Sequence, residues 1–280
     1  MFQRISNSWE LVKESLRVLQ ADKELMIFPV ISSIGVIIVS LTFILPMIFA
    51  GVFDAIFARG GEVMGFIVLF AFYIVQYTVI FFANTALVGA AMIRLRGGDP
   101  TVRDGLKVAS EHFGPILGYA LVSATVGMIL RFISQRGGVI GQIVSSLFGL
   151  AWNVATFLVV PILAMEDVGP IEAIKRSTSL LKRTWGEQIV GNLGIGIIFG
   201  LLIFGLIVLG GVVTVLVASI QSTALIIFTV CVFLLVIVLV ALIHSTLNGI
   251  FTAAVYQYAS DGKTSGFFDR RLVENAFRQK

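Results

Sequence analysis

Residues 188–260 read QIVGNLGIGIIFGLLIFGLIVLGGVVTVLVASIQSTALIIFTVCVFLLVIVLVALIHSTLNGIFTAAVYQYAS and contain no Asp, Glu, Lys or Arg and one histidine, His244. A single helix of these 73 residues would be about 110 Å long, whereas the hydrocarbon core of a bilayer is about 30 Å thick. The segment therefore crosses a membrane twice and turns at its polar break, residues 219–223. Unbroken apolar runs predict helices, because the strands of a membrane barrel alternate in polarity.

The whole chain shares this character. It is 58% hydrophobic and only 13% charged, with a mean hydropathy of +1.00, whereas soluble domains carry about 25% charged residues. We predict one all-α integral membrane domain over residues 1–280, and the charged N-terminal segment predicts no cleaved signal peptide. The six predicted spans are 27–51, 63–93, 113–130, 138–165, 188–218 and 224–259.

The basic residues predict the orientation. Of the 20 Lys and Arg residues, all but Arg59, Arg131 and Arg136 lie in the terminal segments or in the second and fourth connections. The positive-inside rule then places both termini in the cytoplasm, with the protein in the cell membrane. These basic residues adjoin spans and are mixed with 16 acidic residues, so they favour anionic lipid headgroups at the cytoplasmic face and argue against nucleic acid.

Three cytoplasmic segments have apolar residues at helical spacing and charges on the opposite face, which predicts amphipathic helices in the membrane interface. The alternative is that these segments are soluble helices that pack on a partner. The interfacial anchors would be Trp9, Phe113 and Trp185. Each segment precedes a pair of spans, so the chain divides into pseudo-repeats of about 5–98, 99–169 and 170–262. The tail, residues 263–280, would be a fourth amphipathic helix with Leu272, Val273, Ala276 and Phe277 on its apolar side.

The even-numbered spans carry the candidate polar cluster. Asn84, Asn153 and Asn248 fall at similar depths, and His244 and Tyr77 share faces with two of them. One interpretation is that the Asn side chains hold the bundle in register through hydrogen bonds of about 1 kcal/mol. The other is that they line a polar cavity. The hypothesis requires the three Asn to be structurally equivalent.

The fifth span contains Gly196-Ile-Ile-Phe-Gly200, a spacing that permits close helix contact. Packing within the chain is the first interpretation and a homo-oligomer the second. The single Cys231 and two separated histidines predict no metal site. No Asp or Glu falls within a predicted span, and Ser245 beside His244 cannot face it, so we predict no enzymatic activity and no cofactor.

Residues 160–187, VPILAMEDVGPIEAIKRSTSLLKRTWGE, resemble the multi-span membrane domain fused to some bacterial glycerophosphodiester phosphodiesterases. They also resemble stand-alone bacterial membrane proteins of unassigned function, as do residues 8–15, SWELVKES, and 22–29, DKELMIFP. The resemblance implies a multi-span membrane fold. The phosphodiesterase catalytic domain is absent, so its activity does not carry over, and no functional residue can be transferred.

These observations predict a non-enzymatic membrane module that interacts with lipids or organises membrane partners. A homo-oligomer or a membrane partner protein is compatible with it. The alternative is a channel or transporter with a polar path along the even-numbered helices.

Overall fold

The structure is a computed structural model that describes residues 2–49, 62–185 and 194–274. These residues are helical, without strands in the parts described, and include six segments long and apolar enough to cross a membrane. The predicted all-α polytopic class and its six spans are therefore confirmed. The observed spans are Lys23–Phe49, Val63–Leu95, Phe113–Arg136, Gly138–Met165, Ile198–Ala218 and Thr223–Asp261.

The helices follow one another with short connections. In chain order they are α1 (Phe2–Ala21), α2 (Ile27–Phe49, after a 3-10 turn at Lys23–Met26), α3 (Glu62–Leu95), α4 (Val102–Glu111), α5 (Phe113–Arg136), α6 (Gly138–Ala155), α7 (Val159–Met165), α8 (Pro170–Trp185), α9 (Gly194–Ala218), α10 (Thr223–Asp261) and α11 (Arg270–Glu274). Contacts between α2 and α3, α5 and α6, and α9 and α10 form the three predicted hairpins.

The fourth span is broken, whereas its hydropathy predicts one continuous helix. The chain leaves the helix after Ala155 and re-enters it at Val159. Pro161 has no amide hydrogen and favours the first turn of a new helix, which accounts for the restart. The buried amide of Leu158 in the break donates to Oγ of Ser177 on α8 at 3.1 Å.

The buried core lies at one end of the bundle, where α1, α4 and α8 are found; we call this the collar end. Residues from the last turns of α3 and α10 form it together with α7, and these three helices contact one another. The amphipathic helices turn their apolar faces onto this core: Val18, Ala109 and Leu181 are buried. Their inner faces are therefore covered by the chain itself, with α1 on α9 and α10, α4 on α3, and α8 on α7.

Helix contact at the collar end is very close at α4. A Cβ at Gly105 would lie 2.6 Å from the carbonyl oxygen of Ala86 and 2.5 Å from the Phe28 ring. Glycine is the residue that permits this approach, because any side chain would overlap the α3 backbone. Thr101 begins α4 with a capping box to Asp104, and these hydrogen bonds lower the pKa of the Asp104 carboxyl.

Polar contacts tie the ends of the helices together at the collar end. Arg94, near the end of α3, donates to the carbonyl oxygens of Ala21 and Gly98 and to the carboxylate of Asp99. The pKa of Asp22 is raised by burial, and the nearby Arg94 opposes that effect only in part. The N-terminal helix is therefore joined to α3 as well as to α9 and α10.

The C-terminal segment is attached to α1. Phe268 and Val273 are buried, and the backbone amide of Asp269 donates to Oε2 of Glu14 at 3.1 Å. Leu272 packs against the core, while Ala276 and Phe277 of the predicted fourth amphipathic helix lie outside the described residues.

The opposite end of the bundle carries the α5–α6 and α9–α10 turns; we call it the turn end. No residue is buried in the most hydrophobic 18-residue window of α10. The expected packing of Gly196 and Gly200 within the chain is wrong for the described residues, since a Cβ at either position would meet nothing within 4 Å. Gly210 instead makes the close contact, against the Phe233 ring of α10.

Candidate functional site

A cavity of about 670 Å³ lies between α2, α3 and α5 at the turn end. Its walls are aliphatic and aromatic apart from two arginines of α5. The lining residues are Phe43, Ile44, Met47, Gly65, Phe66, Val68, Leu69, Phe72, Arg131 and Arg136.

The cavity forms where α2 and α3 separate. Farther towards the collar end the two helices touch, because a Cβ at Gly35 would lie 2.7 Å from Val79. At the level of the cavity the Phe43 and Phe72 rings still meet edge to face, with centroids 5.4 Å apart. Beyond these rings the α3 wall includes Gly65, which contributes no side chain.

Two guanidinium groups border this apolar space. Nη1 of Arg131 donates to the hydroxyl oxygen of Tyr73 at 2.8 Å. The Arg136 guanidinium lies over the Phe132 ring, 4.3 Å from its centroid, in a cation–π contact. Within the described side chains, no carboxylate lies within ion-pair distance of either arginine.

Three further charged residues lie between the α2 and α3 spans in the sequence. Arg59 and Asp54 lie outside the described residues, as does the side chain of Glu62.

An aromatic row leads from the cavity towards the core. Tyr73 stacks on Tyr77 with centroids 5.9 Å apart, and Tyr77 stacks on Phe81 at 5.7 Å. Phe81 contacts the buried Tyr119 of α5 at 4.5 Å. Tyr77, predicted to belong to the Asn cluster, therefore lies in a continuous wall between α3 and α5.

The three asparagines differ in their surroundings. Asn84 is half-buried, whereas Asn153 and Asn248 are exposed. None of them lines the cavity between α2, α3 and α5, nor the smaller apolar groove of about 400 Å³ on α9. Their structural equivalence stays a prediction, and the exposure of two of the three gives a shared interior cluster no support.

The other predicted site residues are dispersed. His244 packs against Phe199 of α9 with ring centroids 4.8 Å apart. Among the interfacial anchors, Trp9 is 49% exposed and Phe113 47%, while the side chain of Trp185 lies outside the described residues. The described residues contain no group of three potential metal ligands, and the absence of a metal or cofactor stays a prediction.

Hydropathy ends the third span at Leu130 and leaves Arg131 outside it, so the sequence does not predict the cavity. The helix in fact continues to Arg136, so Arg131 lies one and a half turns inside it. An ionisable residue within a span is by itself a sign of a functional site. Arg131, directly after the predicted span, is the residue of the sequence that carries this sign.

Six membrane-spanning helices with an amphipathic collar define an all-α polytopic membrane protein. The chain belongs to the family described as "Family of unknown function (DUF6159)", which matches residues 63–267. No curated protein matches the sequence. The family match agrees with the resemblance to membrane proteins of unassigned function. The likeness to the membrane domain of glycerophosphodiester phosphodiesterases stays a prediction.

Proposed function

We propose that this protein is a non-enzymatic, multi-pass cell membrane protein that holds a membrane lipid in the cavity between α2, α3 and α5. The observation that carries the proposal is the cavity itself. Its volume of about 670 Å³ falls in the range of about 300–1,000 Å³ that is typical of small-molecule sites. Ile44 and Phe66 on its rim are each 48% exposed, so the space reaches the lipid-facing surface.

The depth of the cavity favours a lipid over a transported solute. Its α3 wall, Gly65 to Phe72, extends about 10 Å along the helix, within the roughly 15 Å of one leaflet. A cavity confined to one leaflet suits an acyl chain from that leaflet. The channel or transporter alternative depends on the asparagines, and two of these are exposed.

The collar supports attachment to the cytoplasmic leaflet, with both termini in the cytoplasm. Its amphipathic helices present exposed basic side chains, including Arg17, Lys107 and Arg176. Exposed basic residues beside a membrane are attracted to anionic headgroups by about 1 kcal/mol each. A homo-oligomer or a membrane partner remains compatible with this arrangement, because the α9–α10 hairpin is largely uncovered.

Lipid photolabelling tests the proposal. Phospholipids with a diazirine in the acyl chain would be incorporated into nanodiscs with the full chain, and the labelled peptides identified by mass spectrometry. We expect labels concentrated on residues 65–72, and their loss in Val68→Trp, which fills the cavity. Leu234→Trp, at a 63% exposed position on α10, is the matched control and should leave the labelling unchanged. Labelling spread evenly over all lipid-facing helices would contradict the proposal.

The transporter alternative has its own readout. Solute flux in proteoliposomes that falls when Asn84, Asn153 and Asn248 are all replaced by Leu would favour a polar path over a lipid-holding role.

A further inference from the structure

The two arginines at the cavity identify the class of lipid. We propose that Arg131 and Arg136 receive the phosphate of an anionic phospholipid, whose acyl chain lies between α2 and α3. This inference rests on the proposed function and adds a headgroup charge to it. The cavity is an apolar chamber next to two guanidinium groups, neither of which has a carboxylate partner among the described side chains.

The arginines have donors to spare. A guanidinium group carries five N–H donors in a planar fork that matches phosphate oxygens. Arg131 uses one donor on Tyr73, and Arg136 has a cation–π contact with Phe132 but no hydrogen bond to a described side chain. Because the Tyr73 oxygen accepts from Arg131, the hydroxyl hydrogen of Tyr73 can be donated to a further oxygen.

The two arginines and the apolar residues of the cavity lie at depths that match the headgroup and the acyl chain of a lipid. Arg131 and Arg136 are five residues apart on α5, about 7.5 Å along the helix, with Arg136 at its end. Arg136 therefore lies nearer the membrane surface, where headgroups are found, and Arg131 lies deeper, beside Tyr73. Phe43 and Phe72 close the apolar part below them. A phosphate between the guanidinium groups would leave its acyl chain against Ile44, Leu69 and their neighbours.

Net charge, rather than the phosphate alone, sets the preference. A phosphatidylcholine headgroup brings a trimethylammonium cation that two guanidinium groups repel, whereas phosphatidylglycerol brings none. At a separation of about 5 Å near a protein surface, the repulsion between two unit charges exceeds the roughly 1.4 kcal/mol that corresponds to tenfold in affinity. We therefore expect the anionic lipid to be preferred by about tenfold at equal mole fraction.

The experiment compares diazirine-bearing phosphatidylglycerol and phosphatidylcholine in nanodiscs that contain the full chain. In the wild type, phosphatidylglycerol should label residues 65–72 about tenfold more than phosphatidylcholine. In Arg131→Gln/Arg136→Gln the two lipids should label equally, and Arg131→Lys/Arg136→Lys should retain part of the preference. Arg136→Gln alone keeps the Arg131–Tyr73 contact and so retains this link between α3 and α5. We expect this variant to prefer phosphatidylglycerol less strongly than the wild type, which would show that the loss does not result from a disturbed fold.

Arg96→Gln, an exposed charge at the collar end, is the control and should keep the wild-type ratio. Equal labelling of residues 65–72 by both lipids in the wild type would overturn the anionic preference and leave the lipid-holding function intact. An absence of concentrated labelling there by either lipid would overturn both proposals.

Discussion

Arg94 and Arg131 show how differently single guanidinium groups are held at the two ends of the bundle. Arg94 donates to three oxygens from the ends of α1 and α3, so most of its hydrogen-bonding capacity is used inside the protein. Arg131 donates to the Tyr73 hydroxyl, beside an open apolar space. A cation in a membrane-embedded site requires partners, and its unused donors favour an anionic ligand. Arg94 therefore has a structural role, whereas Arg131 is a candidate for ligand binding.

Glu14 yields a prediction about pH. Burial raises the pKa of its carboxyl above the ordinary value of 4.5, and the Asp269 amide opposes this only in part. The unfolded chain therefore releases this proton at lower pH than the folded chain. The contribution to stability is complete below pH 4.5 and is lost as the pH rises through the raised pKa.

Glu14→Gln keeps an oxygen for the Asp269 amide and removes the buried charge. We expect its thermal unfolding temperature at neutral pH to equal or exceed that of the wild type, and the decline above pH 4.5 to be shallower. Thermal unfolding in detergent across this pH range measures both. Glu111→Gln, whose exposed partner is Lys107, is the control and should retain the wild-type slope. Parallel curves for Glu14→Gln and the wild type would contradict the prediction.

Individual helices show which parts of the fold could be predicted from sequence. The six spans follow from hydropathy, because hydrocarbon tolerates little except long apolar helices. The break before Pro161 depends on a tertiary partner, Ser177, that hydropathy does not identify. The spacing of Gly196 and Gly200 permits a close contact without specifying one, and the structure makes the contact at Gly210. The cavity forms where α2 and α3 separate. This separation depends on how the helices pack, and no periodic pattern in the sequence predicts it.

The broken fourth span provides a matched pair of serine variants. Ser177→Ala removes the acceptor of the buried Leu158 amide, and an unsatisfied buried amide costs about 1–3 kcal/mol. Ser15 in α1 is equally buried, but its hydroxyl has no hydrogen-bond partner within the described chain. Ser15→Ala should therefore be neutral or stabilising. Thermal unfolding in detergent should show a lower midpoint for Ser177→Ala alone; equal losses in both variants would contradict the role of the break.

The whole molecule is built asymmetrically along the membrane normal. At the collar end, α3, α7 and α10 share a core that α1, α4, α8 and α11 cover. Towards the turn end the described parts of the helices have few buried residues, and the cavity between α2, α3 and α5 and the groove on α9 lie away from that core. This division suits a protein that is fixed by its collar and offers lipid-accessible surfaces at the other end. The leaflet from which a lipid would enter the cavity then depends on orientation.

Orientation can be tested with two serine-to-cysteine variants in a Cys231→Ala background. Ser110 on α4 and Ser219 in the α9–α10 turn are both exposed, and each donates to a backbone carbonyl of its own turn. Three spans separate them, so they must lie on opposite sides of the membrane. Because most Lys and Arg residues lie on the side of Ser110, we expect a membrane-impermeant maleimide to label Ser219→Cys in intact cells.

Ser110→Cys should be labelled only after the cells are permeabilised, and both variants should react fully in detergent. The reverse labelling pattern would mean that the protein has the opposite orientation, with Arg131 and Arg136 in the cytoplasmic leaflet. The proposed contact of these arginines with an anionic lipid would be the same in either orientation. Labelling of both cysteines from the same side would contradict the six-span topology. The proposed arrangement therefore requires Ser219→Cys to react from outside, which places the cavity in the outer leaflet.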